Sequence, residues 1–168
     1  MVKSSRGRRT ETRRATLQAL YQWQITKQSP GEFTFPDEWE FPHLDGDYFQ
    51  ELLREIPRCV EQLDTQLTPT LDRPISQINL VERAILWIGA YEIIFRPDIP
   101  WRVAVNEAVE LAKAFGAEKS HKYINGVLDK MAENKTAVNA DISSSDIDDQ
   151  NPQGSQDALR QERSAASG

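Results

Sequence analysis

Two sets of side chains in this sequence place positive charge beside aromatic rings. The first lies in "SRGRRTETRRATLQALYQWQ", where Arg6, Arg8, Arg9, Arg13 and Arg14 lead to Tyr21. The second lies in "FGAEKSHKYINGV", with Phe115, Lys119, His121, Lys122 and Tyr123. Phosphates attract cations, and unstacked bases stack on flat rings, so this combination suits single-stranded RNA. A helix start near the arginines adds partial positive charge and free N–H donors. Each set also has a plainer reading. Basic ends occur as solvated segments. Tyr21 and Tyr123 sit on apolar helical stripes, which leaves each as either a core ring or an RNA-facing ring.

Other chemistry is sparse. His43 and His121 have no neighbours at metal-ligand spacing, so no metal is expected. There is no Gly-rich phosphate loop and no G-x-S-x-G elbow, and no cofactor is expected. Glu107 and Glu110 lie one helical turn apart, with Lys113 three residues on. They read as a solvated face rather than an acid–base pair. Cys59 follows an apolar turn without a nearby His and reads as inert packing. A non-enzyme is the expectation.

The 168-residue chain carries a formal net charge of −6, yet its charge is segregated. Lys3, Arg6, Arg8, Arg9, Arg13 and Arg14 face only Glu11 in the first fourteen residues. From Glu32 to Asp64, ten acids face only Arg54 and Arg58. An anionic partner would be held at one end and repelled elsewhere. No apolar run approaches the roughly 20 residues that span a bilayer, so no membrane segment is expected. The basic start has no apolar stretch and cleavage site after it, so it does not read as a secretory signal. A single cysteine fits a reducing compartment, and cytoplasmic location is the expectation.

These side chains need helices to hold them. Leu17, Leu20, Tyr21 and Ile25 give a 3-4 stripe over about Thr10 to Gln28, stopped by Ser29-Pro30-Gly31. The stretch "GEFTFPDEWEFPHLDGD" reads as an irregular connection that packs Phe33, Phe35, Trp39 and Phe41 onto the body. Asp45 or Asp47 then caps a helix carrying Tyr48, Phe49, Leu52, Leu53, Ile56, Val60, Leu63 and Leu67, which Pro57 kinks or breaks. Asn79 and Glu82 resemble a capping box opening a central, largely buried helix that Pro97 ends. A further helix spans about Trp101 to Phe115, with Gly116 as its C′ residue. The last spans about Ser120 to Ala132, and Gly126 on its apolar face suggests close approach of a neighbour. No segment alternates with period 2, so the fold class is all-α, a helical bundle. From Asn134 on, periodicity is lost and Ser, Asp, Gln, Asn and Gly dominate, so a disordered C-terminal tail is expected. The organisation reads as a basic segment over 1–9, a helical domain over 10–133 and the tail over 134–168.

The segments "RRATLQALYQWQ", "VERAILWIGAYEI" and "IPWRVAVNEAVELAKAFGAEKSHKYINGVLDKMA" closely resemble the NusB family of bacterial transcription antitermination factors. The likeness covers about Arg8 to Ala132, and Asn106 to Asp129 is its most specific part. It implies two packed three-helix subdomains and binding of single-stranded boxA RNA, especially in ribosomal leaders, jointly with ribosomal protein S10. The assembly would let RNA polymerase read through terminators, with no direct DNA contact. Carried over by residue, the resemblance implies an RNA surface of Arg9, Arg13, Tyr21, Phe115, Lys119, Lys122 and Tyr123, and an S10 contact at Glu82. Lys119 stands where relatives commonly carry an acid. Alternative readings are an RNA-binding accessory domain of the kind fused to ribosomal RNA cytosine methyltransferases, and a scaffold that binds only protein.

Overall fold

Ser4 opens the first helix by accepting the Gly7 N–H on its Oγ at 3.3 Å. In this computed structural model, which describes residues 4–30 and 41–145, α1 then runs Ser5–Thr26. The helix therefore starts ahead of Thr10. Arg6, Arg8 and Arg9 belong to its first turns, because Ser4 supplies the cap. Lys27 ends α1 in the left-handed region at φ 61°, its N–H donating to the Trp23 carbonyl.

Asp45 caps the second helix by accepting the Tyr48 N–H at 3.2 Å, and α2 runs Gly46–Leu67. Pro57 lacks an N–H for the Leu53 carbonyl, and the backbone leaves helical geometry at Cys59 (φ −109°, ψ 15°). The expected kink is present. It turns α2 into two rods, so the five helices of the described residues supply six helical segments. Short 3-10 turns at Thr68–Thr70 and Ile75–Gln77 lead to α3, Leu80–Phe95. Asn79 caps α3 by accepting the Glu82 N–H at 2.9 Å, while the Glu82 carboxylate accepts from Ser120 Oγ at 2.5 Å. Half of the expected capping box forms, and the Glu82 carboxylate instead ties α3 to the last helix. Next come α4, Trp101–Phe115, and α5, Ser120–Ser145.

The central position of α3 is as its pattern predicts, since every residue from Ala84 to Ile93 is buried. One apolar core joins Leu17 and Leu20 of α1, Leu52, Ile56, Leu63 and Leu67 of α2, and Ile85 and Ile88 of α3 to Leu111 of α4 and Leu128 of α5. Each such side chain stabilises the fold by roughly 1.5–3 kcal/mol. A smaller cluster of Ala15, Ala19, Phe49 and Leu53 is covered by Phe41 and Leu44. Phe41 thus packs on the body as expected; Phe33, Phe35 and Trp39 lie outside the described residues. Among the described residues no strand occurs.

Three further details of the fold differ from the sequence reading. Close helix approach occurs at Gly89 and not at Gly126: a Cβ on Gly89 would meet Leu128 Cδ1 at 2.6 Å, whereas one on Gly126 would meet nothing within 4 Å. Gly116 caps α4 in extended geometry, at φ −83°, so it does not serve by adopting a left-handed turn. Its role is clearance, since a Cβ there would lie 2.7 Å from the Ala112 carbonyl oxygen. Finally, α5 continues to Ser145 instead of yielding to a tail after Ala132. Residue 97 is proline and offers no N–H to the Ile93 carbonyl. Lys135 Nζ donates there instead, at 2.6 Å, and also approaches the Ile94 carbonyl at 3.3 Å. The compact unit ends at Lys135, and Thr136 begins a second one. Residues 146–168 lie outside the described residues.

Candidate nucleic-acid interface

Arg13, Leu17, Leu20 and Gln24 share one face of α1, and all four are buried. Arg13 is only 2% exposed and does not lie on the surface expected of it. Its Nε and Nη2 donate to the Glu92 carboxylate at 2.8–3.0 Å, and its Nη1 lies 3.6 Å from Glu107. Tyr48 donates its hydroxyl to Glu92, and Thr10 donates to Glu107 at 3.2 Å. This knot ties α1, α2, α3 and α4. Burial opposes the Arg13 charge, but the Glu92 hydrogen bonds and negative charge outweigh it, so its pKa is raised. Burial, and then the Glu92 charge, push the Tyr48 phenol well above its ordinary range. Arg13 is consequently a structural cation, and its assignment to RNA is corrected: a guanidinium committed to two carboxylates inside the fold has no phosphate to reach.

About 100° around α1 from Arg13, Arg14 is exposed, and Gln18 and Tyr21 follow it on the same stripe. Arg14 sits over the Phe115 ring, 5.6 Å from its centroid. Phe115 is 40% exposed at the end of α4. Tyr21 and Phe115 line one cleft with Leu17, Gln18 and Val81. The structure thus brings together two rings that the sequence separates by most of the chain. Sequence reasoning did not choose Arg14 or Gln18. The signal was available, because positions 14, 18 and 21 form a stripe distinct from 13, 17, 20 and 24.

Arg9 is half-buried elsewhere, over the Tyr48 ring at 5.3 Å and 3.9 Å from Asp98. Lys119 and Lys122 are exposed on the turn into α5, where Lys119 holds a left-handed φ of 68° and its carbonyl accepts the Lys122 N–H. Tyr123 is half-buried. It packs on the core, donates its hydroxyl to Asp72 at 3.0 Å and lies under the Arg73 guanidinium. Burial, and then the Asp72 contact, raise its pKa. The Tyr123 ring therefore packs on the core while its hydroxyl edge reaches the surface. Glu82 is half-buried next to Val81 of the cleft. Among the described residues, no three His, Cys, Asp or Glu side chains are grouped to hold a metal ion, and no helix is long and apolar enough to cross a membrane.

The family model of the NusB family matches residues 10–133. The chain belongs to the NusB family. A transcription antitermination protein NusB from Nitrosococcus oceani is 51% identical over 136 residues, covering 79% of this chain and 90% of that protein. The NusB of Shewanella oneidensis is 45% identical over 129 residues, covering 76% and 96%. Among solved structures, T. maritima NusB aligns with a TM-score of 0.62 at 25% identity, covering 79% of this chain and 93% of its own. A structure of antitermination factors NusB and NusE in complex with dsRNA aligns with a TM-score of 0.64, also at 25% identity, covering 78% and 99%. The all-α class expected from the sequence is the NusB fold.

Proposed function

We propose that this protein binds single-stranded boxA RNA of nascent ribosomal transcripts together with ribosomal protein S10, and so helps RNA polymerase read through terminators. As a NusB-family protein it is a transcription antitermination factor. One observation carries the RNA reading: Tyr21 and Phe115 meet in one exposed cleft with Arg14 stacked on Phe115. Flat rings beside a cation suit unstacked bases joined by phosphates. Lys119 and Lys122 add exposed charge on the turn after Phe115, and Tyr123 follows them on α5; Arg9, over the Tyr48 ring and near Asp98, is not among the residues that line the cleft. Arg13 leaves the RNA set, being committed to Glu92 and Glu107 inside the fold. The related structure with NusE and dsRNA supports a joint surface for S10 and RNA. Glu82, one residue from Val81 of the cleft, is the proposed S10 contact. The reading is non-catalytic and cytoplasmic, with no direct contact to DNA.

Fluorescence anisotropy with labelled RNA tests this. A boxA strand binds more tightly than a scrambled strand, a single strand more tightly than its duplex, and added S10 sharpens both differences. Equal affinity for boxA and scrambled RNA, with and without S10, would overturn the reading.

A further inference from the structure

The link between α2 and α3 carries "LDRPI", Leu71 to Ile75, and both of its ends are fixed. Leu71 and Ile75 pack against the core. The Leu71 N–H donates to the Thr68 carbonyl at 3.2 Å, and the Gln77 N–H donates to the Pro74 carbonyl at 2.9 Å. Pro74 holds its own φ at −56° and steers Arg73 before it toward extended backbone. Asp72 and Arg73 are therefore presented from a short, anchored stretch.

Both reach Tyr123 in the first turn of α5. The Tyr123 hydroxyl donates to Asp72 Oδ1 at 3.0 Å, and the Arg73 guanidinium lies over the ring, 5.2 Å from its centroid. Arg73 Nε donates to Asp72 Oδ1 at 2.9 Å and its Nη2 to Oδ2 at 3.3 Å, so one carboxylate fixes ring and guanidinium together. The Arg73 hydrogen bond, and then that of Tyr123, hold Asp72 below the usual carboxylate range. The ring also packs on the core. A base cannot lie flat on the solvent side of Tyr123 while Arg73 covers it.

The cover has the chemistry of an RNA ligand. A guanidinium plane stacks unpaired bases as an aromatic ring does. The Arg73 side chain is 46% exposed, and Asp72 takes only its Nε–H and one N–H of Nη2, which leaves the remaining N–H groups for another acceptor. Lys119 and Lys122 are exposed on the turn that leads to Tyr123. The Glu82 carboxylate also acts on Arg73, which sets this clasp beside the proposed S10 contact.

We infer that Arg73, and not the Tyr123 ring beneath it, is the group that RNA meets here: its plane stacks an unpaired base and its free N–H groups hold the adjoining phosphate. The inference rests on the RNA-binding reading above. It brings the α2–α3 link into the interface and makes Tyr123 and Asp72 positioning residues for Arg73.

The test titrates the full chain with labelled boxA RNA over a salt series, with and without S10. Arg73→Ala lowers affinity about 5- to 10-fold, the lower part of the range for one stacked base, and reduces the salt slope by about 0.7 for the lost phosphate contact. Arg73→Lys restores the slope but not the full affinity, since an ammonium offers charge without a plane. Tyr123→Phe keeps the ring under Arg73 and binds as the unaltered chain does. Each variant melts within about 4 °C of the unaltered chain, because exposed ion pairs and cation–π contacts add little stability. Arg73→Gln, which keeps a polar stem and removes the charge, reproduces the loss and stands in should Arg73→Ala unfold. Tighter RNA binding by Arg73→Ala shows a ring uncovered for stacking and overturns the inference. Unchanged affinity and slope overturn it too. Weaker S10 binding, with the affinity of the chain alone for RNA unchanged, assigns Arg73 to the protein partner and also overturns it. Failure of the unaltered chain to bind RNA, with and without S10, overturns the functional reading itself.

Discussion

A step of about 100° around α1 separates Arg13 from Arg14, and that step decides which of them water reaches. Arg13 enters the fold among Glu92, Glu107 and the Tyr48 hydroxyl, while Arg14 stays outside on Phe115. Removing one partner of a buried ion pair leaves the other uncompensated, so Arg13→Ala lowers stability by about 3–5 kcal/mol in urea denaturation. Arg14→Ala shifts stability by no more than about 1 kcal/mol, the scale of an exposed cation–π contact. A stable Arg13→Ala variant with a weaker salt dependence of RNA binding would return Arg13 to the interface. Tyr48 adds a pH signature. Its folded pKa is raised above the ordinary 10.0 by burial and the Glu92 charge. The stabilisation is therefore fully present below about pH 10 and is lost as pH climbs beyond it. Urea midpoints from pH 8 to 11.5 fall at the alkaline end, tyrosinate absorbance rises with unfolding, and Tyr48→Phe makes the decline shallower. None of this pairing is visible in sequence, because Arg13, Tyr48 and Glu92 lie on different helices. What sequence does show is register: Arg13 is on the stripe of Leu17, Leu20 and Gln24. Its charge argued for the surface and its position for the interior, and the Glu92 carboxylate neutralises it there.

At the level of elements, the turn from α4 to α5 positions Phe115, Lys119 and Lys122 together. Gly116 is needed there for clearance from the Ala112 carbonyl and from Ser120, which lies within 3.0 Å of any Cβ. Backbone cannot yield as a flexible side chain can. Gly116→Ala consequently costs about 1–3 kcal/mol in thermal or urea unfolding and weakens RNA binding by shifting Phe115. Lys119 has the complementary position, a non-glycine residue at φ 68°. Lys119→Gly relieves that conformation, so stability changes by less than about 1 kcal/mol in either direction once unfolded-chain entropy is counted. RNA affinity nevertheless falls as the charge is removed. If both variants changed stability and binding in parallel, the turn would act only as a structural unit. The elements themselves were legible. Apolar spacing marked all five helices of the described residues, Asp45 or Asp47 and Asn79 marked two starts, and Pro57 marked the bend. The start of α1 was missed because Ser4 lies in a polar run where apolar periodicity gives no signal. Gly126 misled because helical register alone does not show which neighbour lies opposite.

Across the whole molecule, positive charge gathers on α1 and on the turn before α5, although the net charge is −6. Such a distribution orients a polyanion and makes its binding sensitive to salt. The logarithm of affinity for single-stranded RNA falls linearly with that of salt, and each phosphate left without its cation lowers the slope by about 0.7. A double Lys119→Ala, Lys122→Ala variant is expected to reduce the slope by about 1.4 with unchanged melting. An unaltered slope would remove these lysines from the phosphate surface. The two basic and aromatic sets were legible in sequence, as residue types suited to one ligand. Their meeting point was not, since only the fold brings Tyr21 and Phe115 into one cleft.

The contact between Lys135 and the end of α3 bears on where the protein can be shortened. The family match stops at residue 133, a natural place to trim a gene for expression. A chain cut there discards the ammonium that Ile93 and Ile94 share, in a turn where Pro97 offers no substitute donor. Trimming two residues later keeps it. The shorter version is expected to be digested more readily by protease at the α3 end, although every residue that the family model matches is still present.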